Sequence, residues 1–395
     1  MHIENKYNCT GCGACYNICQ KGAIKMQGDE YGFYKPVIDK EKCINCGLCE
    51  KVCPLNKYKS NNIDKPKVFV FQNDDKDILY KCASGGAFAK FAKYVVEQGG
   101  TVYGVIYDEN MVVSHSRAES LIDLEKMYSS KYVQSDTRKT FRSAKEDLEN
   151  GKLVLFSGTP CQIAGLKSFL QKDYENLITV DLVCHGVPSP LVFEKYKQEF
   201  MTKLPATEKL LNVNFRSKVE GWKEELTTTT TTTTTTIDAK WDNFMRAFLR
   251  NLSLNESCTI CQFNKLPRVA DLTIADFWGV NDFDESLNDN RGLSIVLVNN
   301  LRGNSFLEKL PKECFLSEVS LDFVIKYNKT ICGSTIPNKN RQAFSKEIAK
   351  GKSLKYCIKK YDRKPLYKVL FNLLPVFIKD FIKYKILKRE KCLKQ

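Results

Sequence analysis

No run of apolar residues in this chain approaches the roughly 18 that a membrane-spanning helix requires, so no segment is expected to cross a bilayer as a single helix. The opening stretch, Met1 to Lys6, is polar and leads straight into a cysteine motif. It lacks the apolar core of a secretory signal, and the expectation is a cytoplasmic protein. The glycine loops of the chain match neither G-x-G-x-x-G nor the phosphate-loop pattern, so no standard nicotinamide or ATP site is indicated. Acidic residues are scarce at one end only. Residues 351–395 hold 3 Asp/Glu against 14 Lys/Arg, which places +11 of the net +15 in the final 45 residues and leaves about +4 for the body. A body this close to neutral argues against nucleic acid as a partner.

Cysteine is abundant instead. Seventeen are present, eight of them before residue 54. A secreted, disulfide-stapled chain would be shorter and usually even in its count, so tight C-x2-C spacing here points to metal. Cys9, Cys12, Cys15 and Cys19 follow C-x2-C-x2-C-x3-C, and Cys43, Cys46, Cys49 and Cys53 repeat it before Pro54. Two residues between thiolates let a tight loop wrap one corner of a 4Fe–4S cubane, and the fourth cysteine of each run reaches the other cluster. One cluster then takes Cys9, Cys12, Cys15 and Cys53, the other Cys43, Cys46, Cys49 and Cys19. Zinc also accepts C-x2-C pairs, but it seldom needs four cysteines in eleven residues twice over. Gln20 stands where the repeat would place proline, which removes no ligand. Gly11, Gly13 and Gly47 are expected to bring backbone N–H groups close to the sulfurs.

Hydrophobic residues make up 43% and charged residues 27%, ordinary for a globular chain of two or three domains. The cysteine-rich segment 1–56 reads as an α+β ferredoxin-like two-cluster domain. The polar stretch 57–66 ends in proline and reads as a linker. From 67 to about 300, strands are expected at Val68–Phe71, Thr101–Tyr107, Leu153–Phe156, Leu177–Val183, Asp271–Ala275 and Ser294–Val298. Helical patterns fall between several of them, the signature of an α/β domain with a partly parallel sheet. Residues 301–395 read as a basic helical C-terminal region. Within it, residues 365–389 mix large apolar residues with lysines at 368, 379, 383, 385 and 388, and Pro375 divides them into two short helices. They suit either a helix packed on the body or an interfacial helix at the anionic inner membrane face. The ten threonines at 227–236 carry no packing code and are assigned no function.

Two helix starts in the α/β region follow strands. Thr159 suits an N-cap, Pro160 the first helical position and Gln162 the third, completing a capping box after Gly158. Ser84-Gly85-Gly86 opens a second helix, which runs to Gln98. Helix starts at the carboxyl ends of strands are where open α/β sheets bind phosphates and cofactors. Cys161 would sit where the helix dipole favours thiolate. With Cys184, Cys258 and Cys261 it could hold a further cluster, Cys82 being the alternative fourth ligand; buried structural thiols are the plain alternative. His185 is a candidate acid or base.

Several motifs occur together in order: Cys82-Ala-Ser-Gly-Gly-Ala-Phe88, Ser130-Lys-Tyr-Val-Gln-Ser135, Gly158-Thr-Pro-Cys-Gln162, Asp181-Leu-Val-Cys-His-Gly-Val-Pro188, Phe215-Arg-Ser-Lys218 before Gly221-Trp222, and Asp276-Phe-Trp-Gly279. Over residues 1–300 the chain resembles the β-subunit family of coenzyme F420 (deazaflavin) hydrogenases and dehydrogenases. The resemblance implies an FAD-binding α/β domain beside iron–sulfur clusters. The flavin would exchange hydride with a soluble carrier, coenzyme F420 itself or another substrate, and single electrons with the clusters. By position, Ser84, Gly85, Gly86, Lys131, Tyr132 and Gly158, Thr159, Pro160, Cys161 and Gln162 should line the flavin site. Bacterial relatives lie with genes for surface polysaccharide assembly, which would suit a chain held peripherally at the inner membrane face. Relatives carry mixed strand sequence where the threonine run stands, which puts that edge of the cleft in doubt. Two rival functions are an electron-carrier subunit that serves a redox partner protein without its own substrate, and a membrane-surface scaffold with structural clusters.

Overall fold

The computed structural model describes residues 8–223 and 225–362. The apolar, lysine-bearing segment 365–389 lies outside them. Among the described residues no helix is long and apolar enough to cross a membrane.

The N-terminal module is small. Helix α1 (Ala14–Ile18) follows the first cysteine loop. A hairpin of β1 (Ile24–Gly28) and β2 (Tyr34–Ile38) comes next, with Ile24 opposite Ile38. Its turn is closed by Asp29, whose Oδ1 accepts from the N–H groups of Tyr31 and Phe33 at 2.9 and 3.0 Å. Ile24 and Ile38 bury against the cysteine loops, so hydrophobic packing and metal ligation share one very small core.

Eleven further strands form two sheets. In the first are β3 (Lys67–Phe71), β4 (Thr101–Tyr107), β5 (Val113–Ala118), β6 (Val154–Gly158), β7 (Leu177–Leu182), β11 (Leu272–Asp276), β12 (Ser294–Val298) and β13 (Phe315–Val319). Their order is β13-β3-β12-β11-β7-β6-β4-β5. The central neighbours β4, β6, β7 and β11 run parallel. The rest join antiparallel. Because β3 and β11 are both antiparallel to β12, the carboxyl ends of β3, β4, β6, β7 and β11 share one edge. Helices cover both faces, and the strands alternate accordingly. On β4, Val102 packs on the face covered by α2 (Ala87–Glu97). The next residue, Tyr103, packs on the face of α3 (Thr140–Glu149) and α4 (Pro160–Leu170).

The second sheet is β8 (Leu210–Ser217), β9 (Glu225–Thr230) and β10 (Thr234–Asp238), in the order β10-β9-β8. The threonine run is its hairpin. Register is set by the flanks, Leu226 opposite Ile237, and Thr228 and Thr230 are buried. This sheet packs on α5 (Pro190–Met201), α6 (Asn243–Leu249), α7 (Arg341–Ala349) and α8 (Leu354–Tyr361) through Phe193, Phe215, Phe244, Phe344 and Ile358.

The structure adds detail to the sequence reading at three points. The boundary at residue 300 cuts through the fold, because β13 is an edge strand of the main sheet and α7 and α8 belong to the second core. Phe315-Leu-Ser-Glu-Val319 alternates in the strand manner inside a stretch that otherwise reads as helical. Part of the expected linker is strapped down: Ser60 Oγ and Asn62 Nδ2 donate to the Arg268 carbonyl at 2.5 and 2.8 Å. Strand β5 went unread because it carries Ser114, His115 and Arg117, polar residues the fold buries or pairs.

Candidate redox centre

In the module, Cys9, Cys12, Cys15 and Cys53 line one pocket. Gly13, in the left-handed conformation at φ 80°, turns the chain into α1. Burial, then the neighbouring Cys9 and Cys53, push the Cys15 thiol up. A buried set of thiolates is stable only with positive charge among them, which iron supplies. Cys19, Cys43 and Cys49 gather around Ile24 and Ile38, next to Cys15, while Cys46 is exposed. The first grouping has the four members that the cysteine spacing assigns to one cluster, and the module's cysteines suit iron–sulfur ligation.

The module docks directly on the main sheet's helices. Cys12 Sγ packs on Gly165 of α4, where a Cβ would lie 2.9 Å from the sulfur. Arg142 of α3 donates to the carbonyls of Asn17 and Cys19 at 2.5 and 2.6 Å. A Cβ at Gly11 would meet Gln134 Nε2 at 2.4 Å, and one at Gly13 would meet Thr137 Oγ1 at 2.0 Å. These two glycines therefore serve the close approach of module to body, as well as the turn.

Four body cysteines come together beside this joint. Cys161 stands at the second position of α4, one helical turn before Gly165 and on the same face. Cys184 follows β7, and Cys258 and Cys261 flank the end of a short 3-10 turn. Burial, then Cys261, push the Cys161 thiol up to about 12. Burial, then Cys258, Cys161 and Cys261, raise Cys184. Cys82 is elsewhere: its charged neighbours are Lys218, Lys131, Asp75 and Lys81. Of the two alternatives for the fourth position, Cys161 is the one beside the other three. Among the described residues no three His, Cys, Asp or Glu side chains converge on a single metal ion.

The loops that carry these cysteines are pinned from below. Asn264 Nδ2 donates to the Cys184 carbonyl at 2.7 Å. Arg268 and Asp181, both fully buried, pair at 3.1 Å. The capping box at Thr159 is present, with its N–H donating to Gln162 Oε1 at 3.0 Å. Gln162 Nε2 continues to Ser135 Oγ at 2.9 Å, and Ser135 to His115 at 3.3 Å. Burial holds His115 down at about 4, so it is neutral at pH 7.

A cavity of about 450 Å³ opens farther along the same strand edge, between the 126–131 loop and the second sheet. Lys131, Lys218, Tyr107, Asn214, Thr227 and Thr234 are on its walls. Burial pushes Lys131 down to about 7 and Lys218 to about 8. Lys131 Nζ donates to the carbonyls of Lys126 and Tyr128, both at 2.8 Å. Lys218 Nζ donates to the Ser84 carbonyl at 2.5 Å, which ties the Ser84 loop to the cavity. Beside Lys218, Arg216 pairs with Asp276 at 2.8 Å and lies 4.9 Å from the Trp278 ring centre. Trp278 in turn stacks on Trp222 at 5.5 Å. Asp276 Oδ1 is buried with no hydrogen-bond partner among the described residues.

The sequence-predicted flavin residues therefore divide. Lys131 faces the cavity. Ser84 adjoins it through Lys218. Gly85 packs against backbone, where a Cβ would lie 2.3 Å from the Phe71 carbonyl, and Gly86 caps α2. Tyr132 turns inward and stacks on Phe248 at 4.7 Å. Gly158, Thr159, Pro160, Cys161 and Gln162 cluster at the body cysteines and are not on the cavity wall. His185 Nε2 is paired with Asn251 Oδ1 at 2.7 Å, and its ring meets Phe248 edge-on, away from the cavity. The polar row of Arg216, Lys218 and Asp276 went unassigned. Its signal lies in Phe215-Arg-Ser-Lys218 and Asp276-Phe-Trp-Gly279, two of the motifs that carry the family resemblance, which the packing of the second sheet against the first brings together.

These features define an iron–sulfur protein whose ferredoxin-type module is built onto a mixed α/β body. Two family models match. One is the 4Fe–4S dicluster domain, over residues 8–57; the other is the C terminus of the coenzyme F420 hydrogenase/dehydrogenase β subunit, over residues 151–322. Through these two matches the chain is similar to the coenzyme F420 hydrogenase β-subunit family and is related to iron–sulfur oxidoreductases that transfer electrons. A search of curated proteins finds no match. Among solved structures, a chain of the F420-reducing [NiFe] hydrogenase complex from Methanosarcina barkeri aligns with a TM-score of 0.46 at 16% identity, covering 74% of this chain and 95% of that one.

Proposed function

We propose that the chain is an iron–sulfur flavoprotein oxidoreductase. In this reading FAD occupies the 450 Å³ cavity, a third 4Fe–4S cluster sits on Cys161, Cys184, Cys258 and Cys261, and the two module clusters lead away from it. The observation that carries the reading is the contact of Cys12 with Gly165, one turn from Cys161, which joins the two sets of cysteines without a gap. The cavity suits a flavin in its size range and in the basic side chains, Lys131 and Lys218, on its walls. A bound flavin supplies the exchange of a two-electron hydride for single electrons. The protein's own residues do the rest. Lys131 and Lys218, on the cavity wall, would face the negative charge of the bound group.

The two-electron substrate is a soluble hydride carrier of the deazaflavin (F420) type or another small hydride donor. A redox partner protein meets the module where Cys46 is exposed. The test is anaerobic purification followed by metal and cofactor analysis. The full chain should carry about twelve irons and extractable flavin, and a 1–60 fragment about eight irons and none. Full-length protein without flavin when grown with ample supply refutes the flavin assignment.

A further inference from the structure

Where the module meets the body, one buried side chain spans the seam. Gln134, 2% exposed, uses both ends of its amide. Its Oε1 accepts from the Tyr34 N–H of β2 at 2.8 Å, and its Nε2 donates to the carbonyl of Thr10, between Cys9 and Cys12, at 3.1 Å. A Cβ at Gly11 would lie 2.4 Å from the same Nε2, so the cysteine loop rests on the amide with no room to slide. The Gln134 N–H donates to the Pro188 carbonyl at 2.9 Å, which fastens the loop that carries Cys184. Pro188 forms a bridge to Leu254. Beside that bridge the Asn255 N–H donates to the Val187 carbonyl at 3.0 Å, and the Asn255 carbonyl accepts from the Cys258 N–H at 3.1 Å. Ser135, the next residue, accepts from Gln162 Nε2 at 2.9 Å, beside Cys161. Gln134 and Ser135 thus gather the loops of Cys9, Cys12, Cys161, Cys184 and Cys258. The amide meets a donor on one side and an acceptor on the other, so an apolar side chain there leaves both without their partner and a carboxylate leaves one.

Resting on the third-cluster reading above, we propose that Gln134 is the positioning residue that fixes the spacing between the module's set of Cys9, Cys12, Cys15 and Cys53 and the body set, and so the rate of electron exchange across the joint. Its side-chain hydrogen bonds go to backbone. It acts by holding the chain that carries the ligands, as partners one layer behind a metal site do. The exchange is of one electron: the set that gives is oxidised, the set that receives is reduced, and no covalent bond forms or breaks.

The experiment uses the full-length, anaerobically purified chain, with iron content measured on every sample. Electron paramagnetic resonance of the reduced protein reads the magnetic coupling between the two sets, assigned by its loss in Cys161→Ser. Flash photoreduction with freeze-quenching reads the exchange rate. Gln134→Met keeps the length and removes both hydrogen bonds; Gln134→Glu keeps the acceptor for Tyr34 and loses the donor to Thr10. Both variants should retain about twelve irons, weaken the coupling and slow the exchange about tenfold. Ser189→Ala is the control. It removes another bond across the seam, from Ser189 Oγ to the Tyr31 carbonyl at 2.5 Å, and should leave coupling and rate near the wild-type values. Unchanged coupling and rate in a twelve-iron Gln134→Met protein overturn the role of Gln134. An equal loss in Ser189→Ala overturns it too, because it would report a general loosening of the seam. A wild-type chain with about eight irons overturns the third-cluster reading itself, and the role of Gln134 in exchange with it.

Discussion

Replacing Arg268 by methionine should cost more than almost any other single change in the body. Arg268 and Asp181 are each 0% exposed and pair at 3.1 Å. Arg268 Nη2 also donates to the Leu182 carbonyl at 3.1 Å, two residues before Cys184. Asp181 accepts in addition from Thr273 Oγ1 at 2.5 Å. Arg268→Met strands a carboxylate that keeps the Thr273 hydroxyl but loses its paired countercharge. Breaking one side of such a pair costs about 3–5 kcal/mol. At about 2–4 °C per kcal/mol for a large domain, the melting midpoint should drop by roughly 10 °C. The double variant Asp181→Leu/Arg268→Met removes both charges and should recover most of that loss, because a desolvated pair is itself costly to bury. The assay is anaerobic thermal unfolding by circular dichroism, with iron content as a parallel reading of the Cys184 loop. A single variant within about 1 kcal/mol of wild type would refute the reasoning. So would a double variant as unstable as the single one, since the loss would then be one of shape rather than of charge.

Other consequences can be tested separately. Cys161→Ser, Cys184→Ser, Cys258→Ser and Cys261→Ser should each lower the iron content from about twelve toward about eight, while Cys82→Ser leaves it unchanged; loss of four irons from Cys82→Ser would contradict the grouping. Lys131 is held near 7 by burial, against an ordinary 10.5, so its desolvation cost is fully present below pH 7 and is relieved as pH rises from about 7 toward 10.5. Lys131→Met should flatten the stability profile across that window, as measured by denaturant midpoints at several pH values; an unchanged slope counts against it. Removing residues 362–395 should abolish salt-sensitive co-sedimentation with anionic vesicles if the tail is interfacial. Equal binding by both forms returns the tail to a packed helix or a solvated end.

What the sequence discloses here depends on how local the signal is. Strands Thr101–Tyr107 and Ser294–Val298 are readable residue for residue because their apolar runs are short, continuous and buried on both sides. The cap at Thr159 is equally local and is found as expected. The eight module cysteines declare themselves by spacing. The body cysteines do not, because Cys161, Cys184, Cys258 and Cys261 meet only after β6 and β7 lie side by side. For the same reason the choice between Cys82 and Cys161 is a tertiary matter. The glycines of Ser84-Gly85-Gly86 look like a phosphate loop, yet Gly85 answers to the Phe71 carbonyl and not to a ligand. A homopolymer has no register of its own, so the threonine hairpin depends on Leu226 and Ile237 at its base.

Gly11, Gly13 and Gly165 leave no room for a single methyl group along the seam between module and body. A ferredoxin on a flexible tether would visit its partner as a shuttle, and its transfer rate would fall as the solvent thickens. This one is soldered in place. Under the proposed reading each turnover would inherit the same spacing, so current through the joint should be indifferent to viscosity.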